Sequence, residues 1–137
     1  DKSVDYWAFG ILLYEMLAGY TPFADHQNMD QMVICRNIVN GKLMFPRGFD
    51  ANAKDLIKKL LIRDPIGRLG NLRGGTDDIK SHAFYSTFDF ENFLNGILIA
   101  PWTPVVKSLT DTSNFDPLDD DFEDIPCDEE TVWDREY

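Results

Sequence analysis

The sequence predicts a mainly α-helical domain followed by an extended acidic tail. Apolar residues between positions 52 and 63 recur at i, i+3, i+4, i+7 and i+8, which is the spacing of one helix face. No stretch alternates apolar and polar residues for long enough to predict a strand. The formal net charge of −11 is carried by residues 111–137, where twelve acids accompany a single base, Arg135.

The first predicted helix covers residues 3–18. Ser3 is placed to cap it, Asp5 lies in the first turn, where the helix dipole favours an acid, and Gly19 follows its end. Apolar residues occupy nearly every face of this helix. A helix with this pattern is normally buried inside a domain, and few other elements of the chain are available to surround it.

Four further helices are predicted, at residues 29–40, 52–63, 77–84 and 89–94. Gly41 ends the first of these, and Asp64-Pro65 ends the second, because proline disfavours helix at the residue before it. A glycine-rich loop follows over residues 67–75. From residue 100 the chain becomes proline-containing and extended, and then acidic with aromatic residues at intervals.

Charge and composition exclude several classes of function. The acidic tail would be repelled by phosphate backbones, so we expect no nucleic acid partner. The apolar stretch at residues 6–18 is interrupted by Glu15 and is too short to cross about 30 Å of hydrocarbon. No histidines or cysteines have the spacing of a metal site. Cys35 and Cys127 form no C-x-x-C pair, which favours a reducing compartment, and we expect the cytoplasm.

Three charged residues stand out, and the residues alone leave two interpretations of each. Asp5 is either only a favourable first-turn charge or a functional carboxylate. Glu15 lies in a helix otherwise suited to a core, so it either reaches the surface or meets a cation, supplied by the chain or by a basic ligand. Arg68 is either exposed and solvated or half of a buried ion pair, for which the sequence offers no obvious carboxylate.

Three motifs follow one another in order along the chain. Residues 4–16, VDYWAFGILLYEM, look like the large central helix of the kinase C-lobe. Residues 63–71, RDPIGRLGN, followed by His-Ala-Phe at 82–84, are similar to the end of that lobe. Residues 100–104, APWTP, and residues 111–116, DTSNFD, match the C-terminal tail of the AGC group of eukaryotic protein kinases, which the three motifs together resemble. The resemblance therefore covers essentially the whole chain.

The resemblance implies a domain organisation. Residues 1–84 would be the C-terminal part of the kinase C-lobe, and residues 85–137 would be the AGC tail. Within the group the chain is nearest the cyclic-nucleotide-dependent kinases, and the ending WDREY at 133–137 looks more like the cyclic-GMP-dependent branch. The family's Gly-rich loop, Lys–Glu pair, catalytic-loop Asp and Asn, and metal-binding Asp lie upstream of these motifs, so we expect this chain alone to be inactive.

The resemblance also implies a function for the parent protein. It would be a serine/threonine kinase that transfers the γ-phosphoryl group of ATP to Ser or Thr in basic sequence contexts, with ATP and Mg²⁺ held mostly by residues outside this chain. A cyclic-nucleotide regulatory domain or subunit would be a further partner. The alternative is a non-catalytic helical docking module whose acidic tail binds a basic partner.

Individual roles follow from the matching positions in the lobe. Asp5 matches the aspartate that hydrogen-bonds the backbone of the catalytic loop. Glu15 matches the acid that receives a substrate arginine two residues before the phosphoacceptor. Arg68 matches the arginine that pairs with the glutamate ending the activation segment.

The tail contributes three more positions. Phe115 matches the aromatic residue that closes over the adenine, and Trp133 and Tyr137 would dock in a pocket of the N-lobe. Two features depart from the family pattern. Leu118 stands where the cyclic-AMP-dependent branch has an aromatic residue, and the final aromatics are spaced i, i+4 instead of i, i+3.

Overall fold

The computed structural model describes residues 2–24 and 30–116 of the chain. Its five α helices are α1 (Ser3–Ala18), α2 (Gln31–Val39), α3 (Ala51–Leu60), α4 (Thr76–Lys80) and α5 (Phe90–Leu94), and 3₁₀ helices lie at Pro65–Gly67 and Ala83–Tyr85. Over these residues there is no strand, and the predicted mainly α fold is confirmed. No helix in the same ranges is long and apolar enough to cross a membrane.

The chain divides into two compact units, Asp1–Ile97 and Leu98–Tyr137. All five α helices lie in the first unit. The part of the second unit that the structure describes, residues 98–116, contains bends and turns but no helix or strand.

The core of the first unit forms where α1 packs on α3. Gly10 allows this close approach, because a Cβ atom at that position would stand 2.9 Å from both Leu60 Cβ and Leu61 Cδ2. The buried apolar side chains of the core come from α1, α3, α4 and the loops between the helices. They are Leu13, Tyr14, Phe23, Leu56, Ile57, Leu60, Leu61, Leu69 and Ile79.

One side of α1 is left uncovered by the described elements. Large apolar side chains on that side are exposed to solvent. They are Val4, Leu12 and Met16; Leu17, in the last turn of α1, is also exposed. The all-round apolar pattern of α1 therefore exceeds what this chain buries, as the sequence predicted.

The predicted C-terminal end of α1 is confirmed, whereas the predicted cap at its N-terminal end is not. Gly19 ends the helix as expected, in the left-handed region at φ 81°, with its N–H donating to the Glu15 carbonyl. The prediction that Ser3 caps the start is wrong, because Lys2 holds the cap position and makes no side-chain capping hydrogen bond. Ser3 is instead the first helical residue and is buried, with its carbonyl accepting a hydrogen bond from Arg68.

Helix α3 is shorter at its end than the periodicity predicted. It begins after Asp50, whose carboxylate accepts a hydrogen bond from the Ala53 N–H at 2.8 Å. It ends at Leu60, three residues before Arg63. The returning loop explains the early end, because the Leu69 N–H donates to the Lys59 carbonyl, which a continuing helix would use for residue 63.

The other helices also shift by a few residues. Helix α2 starts after Asp30, whose carboxylate accepts from the Met32 N–H at 2.9 Å, and the predicted start at Met29 lies outside the described residues. The helix predicted at 77–84 is split into α4 and a 3₁₀ turn. His82 makes this break, because its ring Nδ1 accepts the Phe84 N–H at 3.2 Å and so caps a new turn.

Candidate functional site

Arg68 is a buried cation that joins three parts of the first unit. The residue is only 6% exposed to solvent. Nη1 donates to the Ser3 carbonyl at 2.7 Å, Nε to the Ile62 carbonyl at 2.9 Å, and Nη2 to the Arg63 carbonyl at 3.0 Å. The exposed interpretation of Arg68 is therefore wrong.

The guanidinium also packs on an aromatic ring, with its central carbon 5.1 Å from the centre of Trp7. Three carbonyl oxygens take three of its five N–H donors. No carboxylate pairs with Arg68 among residues 2–24 and 30–116. Two of its N–H donors make no hydrogen bond within that part of the chain.

Glu15 reaches the surface near the C-terminal end of α1. Its carboxylate makes no hydrogen bond or ion pair with any residue that the structure describes. Of the two interpretations left open by the sequence, the structure therefore excludes a cation from the described part of the chain. An exposed, unpaired carboxylate is suited to receive a basic ligand.

Asp5 is exposed in the first turn of α1 and lines a shallow cavity of ≈ 350 Å³. The other lining residues come from α1 and α4. They are Tyr6, Phe9, Thr76, Ile79 and Lys80. Within the described ranges the Asp5 carboxylate has no hydrogen-bond or ion-pair partner, so both of its oxygens are free to accept N–H groups.

The structure places these three residues at two ends of α1. Arg68 lies against the first turns of α1, through Ser3 and Trp7, at the end that carries Asp5. Glu15 follows Asp5 by ten residues, which corresponds to roughly 15 Å along a helix. Arg68 and Asp5 therefore belong to one end, and Glu15 to the other.

The sequence reasoning missed a polar cluster that joins α3 to the following turn. Asp55 Oδ2 lies 2.6 Å from Lys59 Nζ and 2.9 Å from His82 Nε2. His82 Nδ1 is already an acceptor for a backbone N–H, so Nε2 carries the proton donated to Asp55. The hydrogen bonds from Lys59 and His82 lower the pKa of Asp55 below its usual value. The i, i+4 spacing of Asp55 and Lys59 is the only signal of this cluster in the sequence.

Phe115 belongs to the second unit, where the residue is 76% exposed. It follows a turn in which the Asp111 carboxylate accepts two backbone N–H groups, from Lys107 and Ser113. The remaining tail residues singled out by the sequence, Leu118, Trp133 and Tyr137, lie outside the described residues.

Comparison with known proteins identifies the family. The family model described as the protein kinase domain matches residues 1–85, which is more than half of the chain. The chain belongs to the protein kinase family. This kinase chain carries the predicted motifs at its α1 helix, its 63–71 loop and the 82–84 turn within the matched region.

Relatives of this kinase chain include cyclic-nucleotide-dependent enzymes. Cyclic-AMP-dependent protein kinase type 3 of Saccharomyces cerevisiae is 45% identical over 85% of the chain and 29% of its own length. The cyclic-AMP-dependent catalytic subunit of Dictyostelium discoideum is 43% identical over 88% of the chain and 18% of its own length. A cyclic-GMP-dependent kinase of Drosophila melanogaster, isozyme 2 forms cD5/T2, is 39% identical over 100% of the chain and 15% of its own length.

These relatives confirm the predicted AGC group, nearest the cyclic-nucleotide-dependent kinases. The kinase chain spans less than a third of the length of each of the three. Most of the sequence that accompanies this region in those relatives has no counterpart here.

Proposed function

We propose that this chain is the C-terminal part of a serine/threonine protein kinase that transfers the γ-phosphoryl group of ATP to Ser or Thr. The match of residues 1–85 to the protein kinase domain carries this proposal. The named relatives support the same activity, since they are cyclic-AMP-dependent or cyclic-GMP-dependent protein kinases. The chain alone is expected to be inactive.

Glu15 is the proposed contact for a basic residue of the substrate, two positions before the phosphoacceptor. Its carboxylate is exposed and has no partner among the described residues, so an incoming arginine displaces no existing ion pair. A charge-assisted, bidentate pair with arginine would then favour peptides that carry it. This contact would explain a preference for basic sequence contexts.

Asp5 and Arg68 are proposed to hold the catalytic loop and the activation segment of the kinase in position. Asp5 offers two unpaired carboxylate oxygens to backbone N–H groups of a catalytic loop. Arg68 retains N–H donors beyond the three carbonyls that it binds, which suits a carboxylate at the end of an activation segment. Both contacts involve residues outside this chain.

Phe115 is the proposed contact for the adenine of ATP, because its exposed aromatic face suits a purine ring. Mg²⁺ is a different case. Residues 2–24 and 30–116 contain no group of three or more His, Cys, Asp or Glu side chains that could hold a metal ion. The residues that would hold Mg²⁺ are proposed to lie mostly outside this chain.

Three further assignments stay predictions. Trp133 and Tyr137 would dock on the N-lobe of the same kinase. A cyclic-nucleotide regulatory domain or subunit would control it. The cytoplasm is its predicted compartment.

The proposal is tested by phosphoryl transfer from radiolabelled ATP, with the full-length protein that contains this chain. Peptides with Arg or Ala two residues before the acceptor serine form the substrate pair. We expect transfer to both, with kcat/KM higher for the arginine peptide, and no transfer by the 137-residue chain alone. Absence of any transfer by the full-length protein, together with binding of the basic peptide, would favour the docking module instead.

The substitution Glu15→Gln separates the substrate contact from the activity itself. Loss of a charge-assisted pair with the bound arginine corresponds to about 2 kcal/mol, or roughly thirtyfold in kcat/KM for the arginine peptide. The alanine peptide should be unaffected. Equal discrimination by the variant and the wild type would show that Glu15 does not receive the arginine.

A further inference from the structure

We propose that Asp111 is a positioning residue for nucleotide binding, whose carboxylate holds the tail turn that presents Phe115. This inference rests on the proposed function, in which Phe115 covers the adenine. It concerns residues 105–116 of the second unit, which we call the tail turn. Nothing in the family match covers this segment, because the matched residues end at 85.

The Asp111 carboxylate clamps the tail turn from both sides. Oδ2 accepts the Lys107 N–H at 2.8 Å, four residues before it, and Oδ1 accepts the Ser113 N–H at 3.0 Å, two residues after it. Each oxygen therefore has its own backbone donor. The bond from the Lys107 N–H, followed by those from Ser113, lowers the pKa of Asp111, so the side chain is ionised at neutral pH.

Other hydrogen bonds close the same turn around this carboxylate. Asn114 Nδ2 donates to the Val105 carbonyl at 3.1 Å, which joins the two ends of the tail turn. The Phe115 N–H donates to the Thr112 carbonyl at 3.0 Å. The backbone of Phe115 is therefore fixed by a hydrogen bond within the tail turn, while the residue remains exposed to solvent.

The tail turn has no regular secondary structure to hold it in shape. Residues 98–116 include no helix or strand, so side-chain hydrogen bonds have to order the backbone. An aromatic ring on a disordered chain binds more weakly, because part of the binding free energy is used to order the chain. The Asp111 carboxylate makes two of the ordering bonds, more than any other side chain in the described part of this unit.

The experiment uses the full-length kinase and compares Asp111→Ala, Asp111→Asn and the charge-matched control Glu91→Gln. Glu91 is an exposed acid on α5, in the first unit. We expect Asp111→Ala to raise the KM for ATP about fivefold if the presenting conformation falls to about a fifth of the molecules. Asp111→Asn keeps one neutral acceptor oxygen, so its KM for ATP should lie between those of the wild type and Asp111→Ala. We expect kcat at saturating ATP to be unchanged in both Asp111 variants. The control Glu91→Gln should change neither kcat nor the KM for ATP.

A double-mutant cycle with Phe115→Ala distinguishes positioning from a general loss of structure. If Asp111 acts through Phe115, the substitution Asp111→Ala should raise the KM for ATP in the wild type and add nothing in the Phe115→Ala background. Amide hydrogen exchange at Lys107 and Ser113 should accelerate in the Asp111→Ala single variant and in the double variant that also carries Phe115→Ala. This second readout does not depend on ATP.

The possible outcomes distinguish the positioning role of Asp111 from the adenine contact of Phe115. An equal rise in KM in both backgrounds, or unchanged amide exchange at Lys107 and Ser113, would overturn the positioning role of Asp111 alone. An unchanged KM in the Phe115→Ala single variant would overturn the adenine contact, and the positioning role with it. Faster exchange with no change in KM on replacing Asp111 would also overturn positioning, because the turn would then not matter to the nucleotide.

Discussion

Replacing Arg68 with alanine tests a buried side chain that donates three hydrogen bonds within the first unit. The substitution removes three hydrogen bonds from a charged donor and leaves three carbonyl oxygens without it. Such a bond contributes about 1.5 to 3 kcal/mol when it is protected from water. The Ser3 carbonyl bond is buried, whereas those to Ile62 and Arg63 are partly buried and their acceptors can recover water.

The expected destabilisation is therefore about 4 kcal/mol. We assign about 2 kcal/mol to the Ser3 bond and about 1 kcal/mol to each of the other two. A stranded carboxylate elsewhere in the kinase would add to this sum. At about 2 to 4 °C per kcal/mol, the melting temperature should fall by roughly 10 °C.

The assay is thermal unfolding of the full-length kinase, with Arg73→Ala as the control. Arg73 lies in the same loop region but is exposed, and an exposed arginine contributes about 0 to 1 kcal/mol. Arg68→Lys should recover little stability, since one ammonium group cannot reach three carbonyls with the geometry of a guanidinium. A melting temperature of Arg68→Ala equal to that of Arg73→Ala would refute this account.

Three further predictions concern the helices. Gly10→Ala should destabilise the full-length kinase by about 1 to 3 kcal/mol in urea unfolding, because its Cβ would stand too close to α3; Gly67→Ala, whose nearest neighbour would be 3.6 Å away, should not. The stabilisation by Asp55, whose pKa is lowered on folding, is present above its unfolded value of about 3.9 and is lost as the pH falls through the lower folded value. The melting-temperature gap between wild type and Asp55→Asn should thus narrow as the pH falls below about 4; a gap that does not narrow on acidification would contradict it. Finally, the isolated chain should self-associate in sedimentation velocity because one side of α1 is uncovered, and the double substitution Leu12→Lys with Met16→Lys should reduce this; a monodisperse wild-type monomer would contradict it.

The local patterns of the sequence predicted most of the helices and the family. The apolar periodicity of α3, the glycine after α1 and the proline at position 65 act on neighbouring residues, so they can be interpreted without a tertiary structure. The motifs around Glu15 and Arg68 were sufficient to predict the kinase family, which the domain match confirmed.

The tertiary structure alone decided where the polar side chains find their partners. Arg68 donates to a carbonyl 65 positions earlier in the chain, and His82 meets Asp55 across 27 positions. The Leu69 N–H takes the Lys59 carbonyl and so ends α3 before its apolar pattern does. A hydrogen bond requires two groups within about 3 Å, and for groups so distant in sequence that condition is met only after the helices have packed.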